Sequence, residues 1–227
     1  MAKTFFITGT DTDAGKTFCT VALLRAFAQL RLRVIGMKPV AAGAAVDGLN
    51  DDVMALMAAG NVAAGVADVN PYCFTRAIAP HIAAAGENRV VSIAQIQQCL
   101  QRLCGQSDVV LIEGVGGFLV PLDNAFTMAD LAIAIDAPII LVVGMRLGCL
   151  NHALLTAEAI RARGLTLAGW IANCIDPAMN AQFENIKSLE ERLNTPLLGI
   201  MPFMKNNLQP PASAENFLNI STLLNES

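Results

Sequence analysis

The first seventeen residues constrain this chain more than any other stretch. Thr4-Phe5-Phe6-Ile7 is a β-branched and aromatic run. Gly9-Thr10-Asp11-Thr12-Asp13-Ala14 is a small polar turn, and Gly15-Lys16-Thr17 leads into the apolar Val21-Ala22-Leu23-Leu24. The order is strand, loop, helix, with the Gly-Lys-Thr ending of a phosphate-cradling loop. Backbone N–H groups of such a loop, with the helix N-terminus behind it, can surround a polyphosphate. Lys16 is then set to reach the terminal phosphates, and the Thr17 hydroxyl to meet Mg²⁺. Five residues rather than four separate Gly9 from Gly15, so the loop is one residue longer than the usual spacing. As an ordinary strand–helix turn, the segment would set a lysine against the positive end of the helix dipole, a cost that a bound phosphate removes.

A chain of 227 residues that is 54% hydrophobic can bury one substantial core, and residues 1–227 are expected to form a single domain. Charged residues are only 15% of the chain and the net charge is −4, which excludes a basic nucleic-acid footprint and a polybasic membrane patch. The longest apolar stretch, Leu131 to Met145, is interrupted by Asp136 and Pro138 and is too short to span a bilayer. Asp11 and Asp13 interrupt the N-terminus before a leader's apolar region could form. A soluble, cytoplasmic chain is expected. The six cysteines show no metal-site spacing and read as small core residues. With only His81 and His152 present, a histidine-held metal is not expected.

The remainder alternates between strand and helix patterns. A helix is expected over Lys16–Leu30, a strand over Arg33–Val40, a loop from Ala41 to Asn50, and a helical run through Ala59 that opens on Asp51-Asp52. Residues Asp68 to Gly86 read as irregular with short helical pieces. Ser92 is a candidate N-cap for a helix to Leu103. Unalternating runs at Asp108–Glu113 and Pro138–Gly144 read as strands covered on both faces. A helix over Asn151–Arg163 stops at Gly164, a strand follows at Leu167–Asn173, then a helix at Asn180–Leu193 and a strand at Pro196–Ile200. A closing helix is expected within Ser213–Leu224. This alternation predicts an α/β fold, a doubly wound and mainly parallel sheet with helices on both faces.

Such a sheet gathers its ligands at the carboxyl ends of its strands. Four charged residues fall there: Lys16, Lys38, Glu113 and Arg146. Glu113 is the candidate acidic partner of Mg²⁺, directly or through water. Lys38 is a second cation aimed at the same cleft, fit to neutralise a transferring phosphoryl group or to hold a carboxylate or carbamate. Gly148-Cys149-Leu150-Asn151 opens a helix whose free N–H groups suit a carboxylate.

Taken in order, seven segments resemble the dethiobiotin synthetase family: Gly9–Thr17, Lys38–Ala41, Asn70–Tyr72, Pro80-His81, Glu113–Gly117, Leu147–His152 and Ala168–Asn173. The resemblance covers nearly the whole chain, including the longer loop, and implies the P-loop NTPase fold type. It implies a Mg²⁺-dependent homodimer acting on 7,8-diaminopelargonate, CO₂ and ATP through a carbamate and a carbamic–phosphoric anhydride. By position, it implies catalytic roles for Lys16 and Lys38, with Lys38 on the carbamate. Asp13, Ala14, Gly15, Lys16, Thr17 and Phe18 would wrap the phosphates, and Glu113, Gly114, Val115 and Gly116 would line the nucleotide. Asn173, Cys174, Pro202, Phe203 and Met204 would meet the adenine. Thr12, Lys38 and Ala42 would face the substrate, and Gly148, Cys149, Leu150 and Asn151 of a partner subunit would bind its carboxylate. Thr17, Asp52 and Glu113 would hold Mg²⁺, with Asp51 the alternative to Asp52.

Ala42 stands where the family commonly has a serine, which removes about 1 kcal/mol of hydrogen bonding to the substrate. Two other readings share parts of the pattern. Amidoligases of the cobyrinate type usually continue into a glutaminase domain, for which a chain ending at Ser227 has no room. Partitioning-type ATPase switches carry a lysine early in the loop, where this chain has Thr10-Asp11-Thr12.

Overall fold

The computed structural model describes residues 2–45, 48–204, 210 and 213–224. The strand β1 (Lys3–Gly9) runs into the loop and then into α1 (Lys16–Gln29). There follow β2 (Val34–Met37), β3 (Val40–Ala42), α2 (Asp51–Ala59), α3 (Val66–Val69), β4 (Tyr72–Phe74), α4 (Pro80–Gly86) and α5 (Ile93–Cys104). The second half comprises β5 (Val109–Glu113), α6 (Met128–Ile135), β6 (Ile139–Met145), α7 (Cys149–Arg161), β7 (Leu167–Cys174), α8 (Gln182–Leu193) and β8 (Leu197–Met201). A 3₁₀ turn at Ala214–Phe217 and α9 (Ser221–Leu224) close it.

Six strands form one sheet in the order β2-β5-β1-β6-β7-β8, and every pairing is parallel. The chain leaves β1 for one edge, returns through β5 beside β1, then crosses to the other side at β6. Connections therefore diverge at the end of β1, the point where such sheets open a ligand crevice. Both sheet faces are covered. Phe5, Ile7, Leu111, Val142 and Ile171 pack with α1, while Phe6, Ile112, Leu141 and Trp170 pack with α5, α7 and α8. Burial on both faces is why these strands read as unbroken apolar runs.

Three elements differ from the sequence expectation. The strand expected over Arg33–Val40 breaks at Lys38-Pro39, and Val40–Ala42 pairs instead with Tyr72–Phe74 in a separate two-stranded sheet. Proline has no N–H for the ladder, and the Asn70 side chain donates to the carbonyls of Lys38 (2.6 Å) and Tyr72 (3.1 Å), fixing the turn. Helix α6 was not expected, because its second half overlaps the apolar stretch that begins at Leu131. Its Thr127–Asp130 capping box is the start signal that the small apolar residues after it obscured. The closing helix is two short pieces, interrupted where extended Leu218 bridges Gly199. Elsewhere the boundaries shift by one or two residues: α7 begins at Cys149 and its C-cap is Ala162, so Gly164, in the left-handed region, lies beyond the cap position expected of it. The Gly43–Asn50 loop is only partly within the described residues.

Among the described residues no helix is long and apolar enough to cross a membrane.

Candidate active site

Gly15 ends the loop in the left-handed region at φ +80°, where a side chain is strained. A Cβ there would also meet the Asn173 amide at 2.0 Å. That amide donates to the Ala14 carbonyl at 2.9 Å, so the end of β7 supports the loop from below. Lys16 follows as the first residue of α1. Its ammonium donates to the Asp11 and Thr12 carbonyls at 3.0 and 3.3 Å, and burial pulls its pKa down to about 8.

Glu113, the last residue of β5, is fully buried. Its Oε1 accepts from the Thr17 hydroxyl at 2.8 Å and from the Lys38 ammonium at 2.7 Å, while Oε2 is buried without a partner. Lys38 also donates to Asp52 at 2.5 Å. Asp52 sits in the first turn of α2 because the Asn50 side chain caps that helix, accepting from the N–H groups of Asp52 and Val53. Burial drives the Lys38 ammonium toward its neutral form, but the two carboxylates outweigh it and hold the pKa above the ordinary value. Burial pushes Asp52 the other way, and Lys38 and Thr17 hold it below the usual carboxylate range.

These groups border a cleft of about 680 Å³. Of the residues singled out from sequence, Thr12, Asp13, Gly15, Lys16, Thr17, Phe18, Lys38, Ala42, Asp52, Val115 and Gly116 line it. Glu113 sits beneath Lys38 and Thr17, and Gly114 donates its N–H to the Ile7 carbonyl at 2.9 Å. Asn173 underpins the loop, and Met201, paired with it across β7 and β8, leads into Pro202, Phe203 and Met204 at the same end of the sheet. Cys174 is buried. Neither this group nor Gly148, Cys149, Leu150 and Asn151 lines the cleft. Asp51 is exposed and does not line it either. Sequence reasoning missed Ala77, Ile78, Ala79 and Val120, which also line the cleft, and named Pro80 without giving it a place in the site. Pro80 as the first residue of α4 was the available signal for the residues before it. It also missed the ion pair between Arg146 and Asp11 at the mouth of the loop.

A parallel α/β sheet with a Gly-Lys-Thr loop after its β1 strand defines a P-loop NTPase-type protein. A family model described as an AAA domain matches residues 3–211. A chain of the MinC:MinD cell division protein complex of Aquifex aeolicus superposes with a TM-score of 0.62 at 16% identity, over 100% of this chain and 97% of that one. The septum site-determining protein MinD complexed with Mg-ADP from Pyrococcus horikoshii OT3 also gives 0.62 at 16%, over 96% and 93%; at such identity the likeness speaks for the fold alone. Two curated relatives are much nearer. An ATP-dependent dethiobiotin synthetase BioD of Aromatoleum aromaticum is 53% identical over 203 residues, 88% of this chain and 90% of that protein. One of Nitrosospira multiformis is 49% identical over 207 residues, 91% of each. The chain belongs to the ATP-dependent dethiobiotin synthetase family, and is a ligase of biotin biosynthesis.

Proposed function

We propose that this cleft joins CO₂ to 7,8-diaminopelargonate and closes the ureido ring, driven by ATP. The observation that carries the reading is the meeting of two ammonium groups, Lys16 and Lys38, at one cleft around buried Glu113. Carbamate and triphosphate are both anions, and a buried site amplifies their repulsion unless cations stand between them.

One substrate amine attacks the carbon of CO₂ and loses a proton, giving a carbamate. A carbamate oxygen attacks the γ-phosphorus, the bond to the ADP oxygen breaks, and a carbamic–phosphoric anhydride forms. The second amine attacks the carbonyl carbon and loses a proton, the C–O bond breaks, and phosphate leaves with the oxygen that came from CO₂. In this reading Asp13 to Phe18 wrap the phosphates, and Lys16 neutralises the charge that develops on the transferring group. Lys38 holds the carbamate, with Thr12 and Ala42 beside the substrate. Glu113 to Gly116 face the nucleotide, and Asn173, Cys174 and Pro202 to Met204 its adenine.

The donors fit a magnesium ion. Thr17, Asp52 and Glu113 offer only hard oxygen atoms, and Glu113 Oε2 is buried without a hydrogen bond. Two carboxylates and a hydroxyl are too few for a protein-only cage, as expected of an ion completed by phosphate and water. When bound it would neutralise phosphate charge. The family resemblance assigns the substrate carboxylate to Gly148–Asn151 of a partner subunit, at a helix N-terminus that favours an anion; these residues do not line the cleft of their own chain. Sedimentation equilibrium is expected to show a homodimer; a monomer that turns over would sink the shared-site part of the reading.

The reading as a whole is tested by phosphate release with ATP and CO₂, with and without 7,8-diaminopelargonate. Release is expected only with the diamine, matched by dethiobiotin. Equal release in both arms would point to an ATPase switch instead.

A further inference from the structure

Arg146, one of the four strand-end charges, has no part in the chemistry above. It stands just beyond β6, and its guanidinium pairs with the Asp11 carboxylate in the loop after β1. Two more bonds join the same pieces of chain. The Thr10 N–H donates to the Val142 carbonyl at 3.0 Å, and the Gly144 N–H donates to the Thr10 hydroxyl at 3.3 Å.

Residues 142, 144 and 146 are alternate positions, the period of a parallel ladder. The ladder between β1 and β6 reaches Gly9 opposite Val142. Past that point it continues first through a backbone bond, then through the Thr10 side chain, then through the Asp11 side chain. This segment belongs to the loop that is one residue longer than the usual spacing. Asp11 and Thr12 also supply the carbonyls that hold the Lys16 ammonium, and Asp11 Oδ1 accepts from the Thr12 N–H at 2.8 Å.

We propose that Arg146 is a positioning residue for the nucleotide loop: through Asp11 it keeps the lengthened loop in register with β6, and so keeps Lys16 aimed along the cleft. The proposal rests on reading the loop as the nucleotide site. Both partners of the pair are partly exposed, 38% and 47%, so its direct contribution to folding stability is small. The effect belongs in nucleotide binding.

Charge and bracing make opposite predictions at Asp11. If the pair acted only by its field, removing a carboxylate near the triphosphate would tighten binding. If it braces the loop, Asp11→Asn weakens binding although it removes a negative charge. The test is titration of the full-length protein with MgATP, without diamine or CO₂. Asp11→Asn and Arg146→Gln are each expected to raise the Kd about tenfold, with the double variant no worse than either single one. In turnover the KM for ATP rises, kcat at saturating ATP changes little, and Arg146→Lys recovers part of the loss. Thermal midpoints stay at the wild-type value. Asp11→Asn binding as tightly as wild type or more tightly, or single losses that add in the double variant, would overturn the proposal. Wild-type protein that fails to bind MgATP would overturn it together with the nucleotide reading.

Discussion

Lys16 and Lys38 carry the same charge, lie in the same cleft, and are perturbed in opposite directions. Lys38 touches two carboxylates and stays charged. Lys16 touches only carbonyls, so burial prevails and its pKa falls to about 8. A triphosphate beside Lys16 would restore what burial removes, raising the value in the complex. Free protein then lacks a proton above pH 8 that the complex holds. ATP affinity is expected to be level below pH 8 and to fall above it by up to about tenfold per pH unit. Calorimetry in buffers of different ionisation enthalpy should show proton uptake on binding at pH 9 and little at pH 7. Uptake equal at both values would contradict the assignment of Lys16 to the phosphates. In the free protein the sign is reversed. The folded value lies below that of the unfolded chain, so this group's contribution to stability rises with pH between about 8 and the ordinary lysine value.

At the scale of elements, the site depends on how α2 starts and how β2 ends. The Asn50 side chain accepts from two N–H groups of α2 and donates to the Gly43 carbonyl at 3.1 Å, which fixes the turn that carries Asp52. Asn50→Ala is expected to cost about 1–2 kcal/mol, seen as a lower urea midpoint at unchanged slope. It should weaken Mn²⁺ binding in the presence of ATP as well, since the first turn of α2 loses its anchor. Stability lost with metal affinity intact would separate Asp52 from the metal. Asn50 also marks what the sequence hid. The acidic pair Asp51-Asp52 announced a helix start, yet which of the two faces the cleft depends on the cap one residue earlier. The end of β2 was hidden for a similar reason. Lys38-Pro39 reads as the tail of a strand until Asn70, far along the chain, is seen holding the Lys38 carbonyl.

Across the whole molecule, the sheet order joins what the sequence scatters. Glu113 pairs with Ile7 across β1 and β5, and Asn173 reaches Ala14 across a separation of 159 residues. Strand ends were legible because apolar runs closed on a charged residue, and the parallel pattern brings such ends to one edge. The pairing of Arg146 with Asp11 was not legible, since composition and spacing say nothing about which loop residue faces which strand end. The wall from Ala77 to Ala79 was hidden too, because residues that shape a cleft by bulk carry no chemical signature. The fold itself is shared with MinD proteins, so the distinguishing feature lies in the groups at the sheet edge. The central claim is that carbamate and γ-phosphate react at one centre framed by Lys16, Lys38 and Glu113. The most direct measurement is turnover with ¹⁸O-labelled CO₂ in unlabelled water, with the released phosphate weighed by mass spectrometry before the label exchanges. The account predicts one labelled oxygen in each phosphate. Phosphate carrying an oxygen from water instead would contradict it.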